Sequence, residues 1–378
     1  MRRFLGGYDV LFRDTLLCFL ALLAATVAQG VEPFLSRANH TNGQLRFSLN
    51  GECKAGYIVL ATTNFSDWIP VATNRAFASI RSISFAALDN QAFFKVQSVP
   101  TSPFSFAVAM KNGVDFNGNN FQCDSYNKDL GDYGMNILWP LPMGTNIQGS
   151  GDILAKDLIN NFGPIGNAKI VGHVLTAPGG AIAIGPNGSI GDLQWGGANG
   201  IKPGWVIDDT NYPMLEVSQP WTGVALAAAG SGAYRYVLST GKYEINGDLI
   251  LNSTNFMFVK GNASLWVKGN VDIDSNAYIK MNGSGYRLSL YCTGNIRLAG
   301  TWDKSIDPLD LCIYGLPTCT NIAMTTGSKM EAVVYAPQAN VTFFGTADLR
   351  GAIVANSLTL NGNAAIHYDE SLARRVLR

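Results

Sequence analysis

The chain has 378 residues, of which 47% are hydrophobic and 14% charged, with 27 basic and 27 acidic side chains in balance. Zero net charge speaks against nucleic acid as a partner, because phosphate binding needs a basic surface, and the apolar share excludes a disordered chain. Scarce charge with 41 glycines and abundant asparagine is the composition of a turn-dense β protein, and it leaves few carboxylates with which to build an active site.

At the N-terminus, Arg2, Arg3 and Arg13 accompany an apolar run over residues 16–27 that closes on Thr26-Val27-Ala28. This is the pattern of a secretory signal, residues 1–28, cleaved after Ala28. The run is shorter than the roughly 20 residues of a spanning helix; an uncleaved signal anchor is the alternative. No later stretch has spanning length, so the mature chain is expected to be secreted, periplasmic or on the cell surface, with no integral membrane span. Cleavage removes Cys18 and leaves Cys53, Cys123, Cys292, Cys312 and Cys319. An odd number in an oxidising compartment leaves at least one thiol free or intermolecular. Cys312 and Cys319 flank Gly315-Leu316-Pro317 and form the disulfide candidate. Cys292 ends an apolar strand pattern and reads as core filling. With no CxxC and no neighbouring histidine, neither a metal site nor a cofactor is expected.

Residues 29–98 read as a small β-sandwich. Strand patterns cover 44–49, 56–62, 69–72, 79–84 and 92–96, and Asn50-Gly51 separates the first two as in a hairpin. The run Gly56-Tyr57-Ile58-Val59-Leu60-Ala61-Thr62-Thr63-Asn64-Phe65-Ser66-Asp67-Trp68, closed by Phe93-Phe94-Lys95-Val96, resembles an immunoglobulin-like module of secreted bacterial proteins. The resemblance implies a core position for Trp68. Residues 99–103, with two prolines, form a linker.

From residue 104 to 378 the rhythm tightens. Strand runs of four to six residues alternate with Asn-Gly or Gly-Asn, as at Asn246-Gly247, Gly261-Asn262, Gly269-Asn270, Gly294-Asn295 and Asn361-Gly362. The expectation is a parallel β-helix in which Gly or Asn adopts positive φ to turn the chain. Leu265, Val267, Val271 and Ile273 are expected to point inward, and Trp266, Lys268, Asp272 and Asp274 outward. At roughly 20 residues per turn this gives on the order of ten coils stacked about 4.8 Å apart. A large two-sheet sandwich is the alternative. A loop insertion is expected at about 194–236, where the rhythm breaks.

The segments Val334-Tyr335-Ala336-Pro337-Gln338-Ala339-Asn340-Val341 and Gly351-Ala352-Ile353-Val354-Ala355-Asn356-Ser357-Leu358, and the ending His367-Tyr368-Asp369-Glu370-Ser371-Leu372, resemble the C-terminal part of a β-helical domain of unknown function. That domain occurs in exported and type IV pilus-associated Gram-negative proteins. Asp124-Ser125-Tyr126-Asn127 is similar to its opening coils. The resemblance implies an architecture and a context, and no reaction.

Candidate chemistry is sparse. Asp208-Asp209 is an adjacent acidic pair suited to a cation or acid/base work, though a solvated turn before Tyr212-Pro213 is the more ordinary reading. Trp195, Trp205, Tyr212 and Trp221 on the expected insertion offer faces for stacking on sugar rings, or a cover for apolar coil surface. His173 reads as an outward or coil-corner residue. His367, Tyr368, Asp369 and Glu370 read as a structural cap that finishes the last coil and protects its open edge. The expected function is that of a non-catalytic structural or adhesive protein of the bacterial surface or matrix. A polysaccharide-binding or polysaccharide-cleaving β-helix and a pilus or secretion component are the alternatives, and the expected partners are polysaccharide or other surface proteins.

Overall fold

Alternation of apolar and polar residues resolves into strands along the whole described chain. The computed structural model describes residues 33–375 except 76–79, 87–91, 100–101, 117–120, 138–143, 156–167, 179–181, 183, 196–198, 209–211, 223–224, 284, 303–306 and 326–328. The expected signal at 1–28 therefore lies outside the described residues. Among these residues no helix is long and apolar enough to cross a membrane. The chain divides into two compact units, one up to residue 101 with 211–213, the other comprising 102–210 and 214–378.

The first unit holds β1 (Phe34–Thr41), β2 (Gln44–Asn50), β3 (Gly56–Thr62), β4 (Ile69–Arg75), β5 (Ile80–Ala86) and β6 (Phe93–Val99). They form two three-stranded antiparallel sheets, β1-β2-β5 and β4-β3-β6. Alternate residues of both sheets, among them Phe47, Leu49, Tyr57, Val59, Phe85 and Phe94, fill one core. Two sequence expectations change here. The tight hairpin lies at Asn42-Gly43, both at positive φ, between β1 and β2. Asn50-Gly51 instead carries the chain from one sheet to the other, with Gly51 against the Tyr57 ring, where a Cβ would fall 2.6 Å from it. Trp68 is only half-buried and lies under the Lys95 ammonium, 4.1 Å from the ring centroid. Phe47, Phe85 and Phe94 take the core position expected for it.

The second unit is a parallel β-solenoid. Its first coils are β7 (Val108–Asp115) with β8 (Gln122–Tyr126), a small hairpin of β9 (Asn136–Ile137) and β10 (Gly144–Thr145), β11 (Ile153–Ala155) with β12 (Lys169–Val171), β13 (Val174–Thr176) with β14 (Ser189–Gly191), and β15 (Gly200–Ile201) with β16 (Val206–Ile207). The later coils begin with β17 (Leu226–Ala227) and β18 (Tyr234–Leu238). Then follow β19 (Gly241–Ile245), β20 (Leu249–Leu251) and β21 (Phe256–Val259); β22 (Ala263–Val267), β23 (Val271–Ile273) and β24 (Tyr278–Met281); and β25 (Leu288–Cys292), β26 (Ile296–Leu298) and β27 (Thr301–Trp302). The series ends with β28 (Leu311–Gly315), β29 (Asn321–Met324), β30 (Lys329–Phe344), β31 (Asp348–Asn361) and β32 (Ala365–Asp369). Leu265, Val267, Val271 and Ile273 are buried, as the alternation predicts.

Stacking order departs from chain order. The later coils stack in sequence from β17 and β19 to β31. The stack then continues with the start of the unit: β31 pairs with β7 and β32 with β8. From there β11, β13 and β16 follow. The chain thus enters its solenoid in the middle, builds towards one end, returns, and builds back to its own beginning.

At Gly261, Gly269 and Gly294 the coil corners use a device other than the expected positive φ, which Gly362 does adopt (φ +137°). Asp248 Oδ1 accepts from Asn270 N (2.7 Å), Asn270 Oδ1 from Asn295 N (2.8 Å), and Asn295 Oδ1 from Asn321 N (3.0 Å). Every described non-glycine residue at positive φ lies in the first unit. In the ladder, glycine serves close approach: a Cβ on Gly269 would meet Asp248 Oδ1 at 2.2 Å, and one on Gly294 would meet Asn270 Oδ1 at 2.5 Å.

Candidate functional site

The densest group of titratable side chains lies where the last coil meets the first. Register places Glu331 beside Arg350, Arg350 beside His367, and His367 beside Asp124, so four ionisable residues of β30, β31, β32 and β8 form one row. Fully buried Asp124 receives His367 Nδ1 at 2.5 Å, the Tyr133 hydroxyl at 2.7 Å and Gln122 Nε2 at 2.8 Å. The Tyr133 ring stacks on His367 at 3.8 Å, and the Arg350 guanidinium lies 5.5 Å from the Tyr133 ring centroid. Arg350 donates to Glu331 Oε1 at 3.1 Å, and Lys128 reaches Glu331 Oε2 at 3.4 Å and also Asp132. Burial pushes the Glu331 carboxyl up, against the opposing pull of Lys128 and Arg350. Burial likewise raises Asp369, which accepts from Lys128 N (2.9 Å) and from Ser371 Oγ (2.7 Å).

This row ties four successive strands of the stack together. Both His367 ring nitrogens face carboxylates, Nδ1 towards Asp124 and Nε2 towards Asp348 at 3.6 Å. A general base needs a nitrogen within reach of a substrate proton, and here both are directed into the fold. Tyr368 donates to Phe104 O at 2.8 Å, and Ser125 donates to Glu370 Oε1 at 2.7 Å. His367, Tyr368, Asp369 and Glu370 were expected to protect an open edge. That edge is instead covered by β8, which pairs with His367, Tyr368 and Asp369; His367 also pairs with β31 on its other side, and Glu370 begins the 3-10 turn that follows. Their partners Asp124, Lys128, Tyr133, Glu331 and Arg350 escaped sequence reasoning. The available signal was that Asp124-Ser125-Tyr126-Asn127 and His367-Tyr368-Asp369-Glu370 both interrupt apolar strands with polar and aromatic residues.

The aromatic residues of the expected insertion are placed separately. Strands β15 and β16 continue the coils, so the break in rhythm is narrower than 194–236. Trp195 is half-buried and donates Nε1–H to Gly200 O at 3.2 Å. Trp205 stacks flat on His173 at 4.2 Å, and His173 Nδ1 lies 3.1 Å from buried Asp152. Tyr212 and Trp221 are buried. Residues 214–221 run back along the outer face, over a row in which Trp266, Tyr291, Tyr314 and Tyr335 are register partners. Tyr335 donates to Leu215 O at 2.9 Å, Gln338 donates to Glu216 at 2.7 Å, and Trp221 meets Trp266 and Tyr291 edge-on at 5.9 and 6.1 Å. Trp266 points outward as expected, yet this strap covers it.

Asp208 is exposed, and Asp209 lies outside the described residues. Among the described residues no group of three or more His, Cys, Asp or Glu side chains is arranged to hold a metal ion. All five described cysteines are free thiols in the structure, Cys312 and Cys319, the expected pair, among them. Cys312 shares the outward face of its strand with Tyr314, as their register partners Ser289 and Tyr291 show, and donates to Leu309 O at 3.3 Å. Cys319 sits on the inner side, against Gly315, the register partner of Cys292.

Fold and site thus define an all-β solenoid preceded by small antiparallel sheets. Residues 226–375 match the family model of a domain of unknown function, DUF7305. The matched segment opens at β17 and closes just beyond β32, so the coils of β7 to β16 lie outside it. No curated protein and no solved structure is matched by the chain.

Proposed function

We propose that this is an exported, non-catalytic structural protein whose solenoid offers its outer surface for adhesion or assembly at the bacterial surface. The observation that carries this reading is where the reactive and aromatic side chains go. His367, Asp124, Glu331 and Arg350 pair with one another across coils, and Trp221 packs down on Trp266 and Tyr291, so neither group forms an open acid/base or stacking site. The signal pattern at 1–28 supports export, and the resemblance to exported and pilus-associated proteins supports a surface context. The resemblance of residues 56–96 to an immunoglobulin-like module belongs to the same reading.

The test has two arms. Fractionation of cells producing the full chain is expected to recover it outside the cytoplasm with a new N-terminus after Ala28; a cytoplasmic, unprocessed chain would overturn export. Incubation with a panel of acidic and neutral polysaccharides is expected to release no new reducing ends or unsaturated products; cleavage that is lost in His367→Ala or Asp208→Asn would establish an enzyme instead.

A further inference from the structure

The coil repeat brings together two cysteines that are distant in sequence. Strands β25 and β28 pair in register, Leu288 with Leu311 and Cys292 with Gly315. Leu288, Leu290 and Cys292 are fully buried, as are Leu311 and Ile313 opposite the first two, so position 315 continues an inward row. Residue 315 is glycine, and Cys319 fills the space its side chain would take: a Cβ built there would lie 3.2 Å from Cys319 Sγ and 3.3 Å from Cys319 Cβ. A tight turn holds this arrangement. Leu316 N donates to Cys292 O at 2.9 Å, and Cys319 N donates to Leu316 O at 2.8 Å. The Cys319 side chain thus occupies the inward position stacked on Cys292, both are sealed from solvent, and Cys292 Sγ lies 3.2 Å from Gly294 O. Elsewhere, Cys123 donates to Gly151 O at 3.3 Å and Cys312 to Leu309 O at 3.3 Å.

We infer that Cys292 and Cys319 are the disulfide-forming pair of this chain, a covalent staple between successive coils. The oxidant is a small-molecule or protein disulfide of the kind found in an oxidising compartment. The thiolate of one of the two cysteines attacks one sulfur of that disulfide; the S–S bond breaks and one thiol leaves. The sulfur of the other cysteine then attacks the cysteine sulfur of the mixed disulfide, forming the Cys292–Cys319 bond and expelling the second thiol. Two cysteine thiols lose two electrons and two protons, and the external disulfide becomes two thiols. Since both sulfurs are sealed in the finished coils, the exchange occurs during folding, before the coil of β28 closes on that of β25.

The experiment uses the full chain, unfolded under reducing conditions, refolded with oxidised and reduced glutathione, alkylated and digested without reduction. The expected map contains one peptide linking Cys292 to Cys319, with Cys53, Cys123 and Cys312 alkylated. A Cys312–Cys319 link, or alkylation at both Cys292 and Cys319, overturns the inference. In a second measurement, reductant present during refolding is expected to lower the melting temperature of the wild type and of Cys312→Ser alike. Equal melting temperatures with and without reductant overturn it. Cys292→Ser is expected to melt at one temperature under both conditions; should that variant fail to fold, the wild-type map decides. None of these outcomes bears on where the protein resides in the cell.

Discussion

At the scale of single residues, the corner ladder carries the clearest consequences. Gly294 passes so close to the preceding coil that an added methyl would meet Asn270 Oδ1 at 2.5 Å and Gly269 O at 2.7 Å. The second of these is backbone, which yields only if the coils move apart. Gly294→Ala is therefore expected to cost about 1–3 kcal/mol, read as a lower urea midpoint at unchanged β content by circular dichroism; wild-type stability in this variant would refute the close-approach account. Glu331 makes a separate, pH-dependent prediction. Its folded-state pKa is raised by burial, so between the unfolded value of about 4.3 and the higher folded value the native state binds more protons than the unfolded one. Stability contributed by this group is thus greatest at the acidic end of the window and falls as pH rises through it. Melting temperatures measured from roughly pH 4 to 7 should decline less steeply in Glu331→Gln than in wild type. Asp369, raised by the same cause, keeps part of the slope.

At the scale of elements, the strap over residues 214–221 matters most. The tandem coils place Trp266, Tyr291, Tyr314 and Tyr335 in one outward row, which by itself would expose a continuous aromatic stripe. The returning chain has to cross this face to reach β17, and it covers the stripe with Trp221 and the backbone of Leu215. Trp221→Ala opens that cover and is expected to cost about 3 kcal/mol in denaturant unfolding. The half-exposed Trp195, truncated in the same way, should cost distinctly less. A Trp221→Ala variant with wild-type stability and a lost glycan affinity would reverse the assignment and make the residue part of a binding platform.

At the scale of the solenoid unit, the order of coils decides what each end needs. Strands β31 and β32 would end a chain-order solenoid with an open, pairing-competent edge. Here β7 and β8 cover that edge, and the Asp124–His367 pair lies on the junction. A fragment spanning 226–375, the segment that matches the domain of unknown function, lacks β7, β8 and Asp124. It is expected to self-associate with rising concentration in analytical ultracentrifugation, whereas a fragment spanning 102–378 should show no such edge-driven association. A stable monomeric 226–375 fragment would mean that the covering coil is dispensable.

Much of this architecture could be read from residues alone. A period-2 alternation and glycine-asparagine corners repeating every 22 to 25 residues, as between Thr240 and Asn262 or Asn262 and Arg287, are local properties; together they dictated a parallel solenoid with Leu265, Val267, Val271 and Ile273 inside. The positions of the polar tetrapeptides beginning at Asp124 and His367 were legible too, but their pairing was not. Nothing local records that coil 108–126 stacks on coil 348–369, because that contact joins strands from opposite ends of the unit's sequence. The same reason separates the two cysteine readings. Spacing in the chain favoured Cys312 with Cys319, while strand parity turned Cys312 outward and the coil repeat laid Cys319 against Cys292. Sequence determined the strands, their faces and their turns, since these follow from each residue and its immediate neighbours. Tertiary structure decided which faces are covered and which side chains meet, since these depend on the order in which the coils stack.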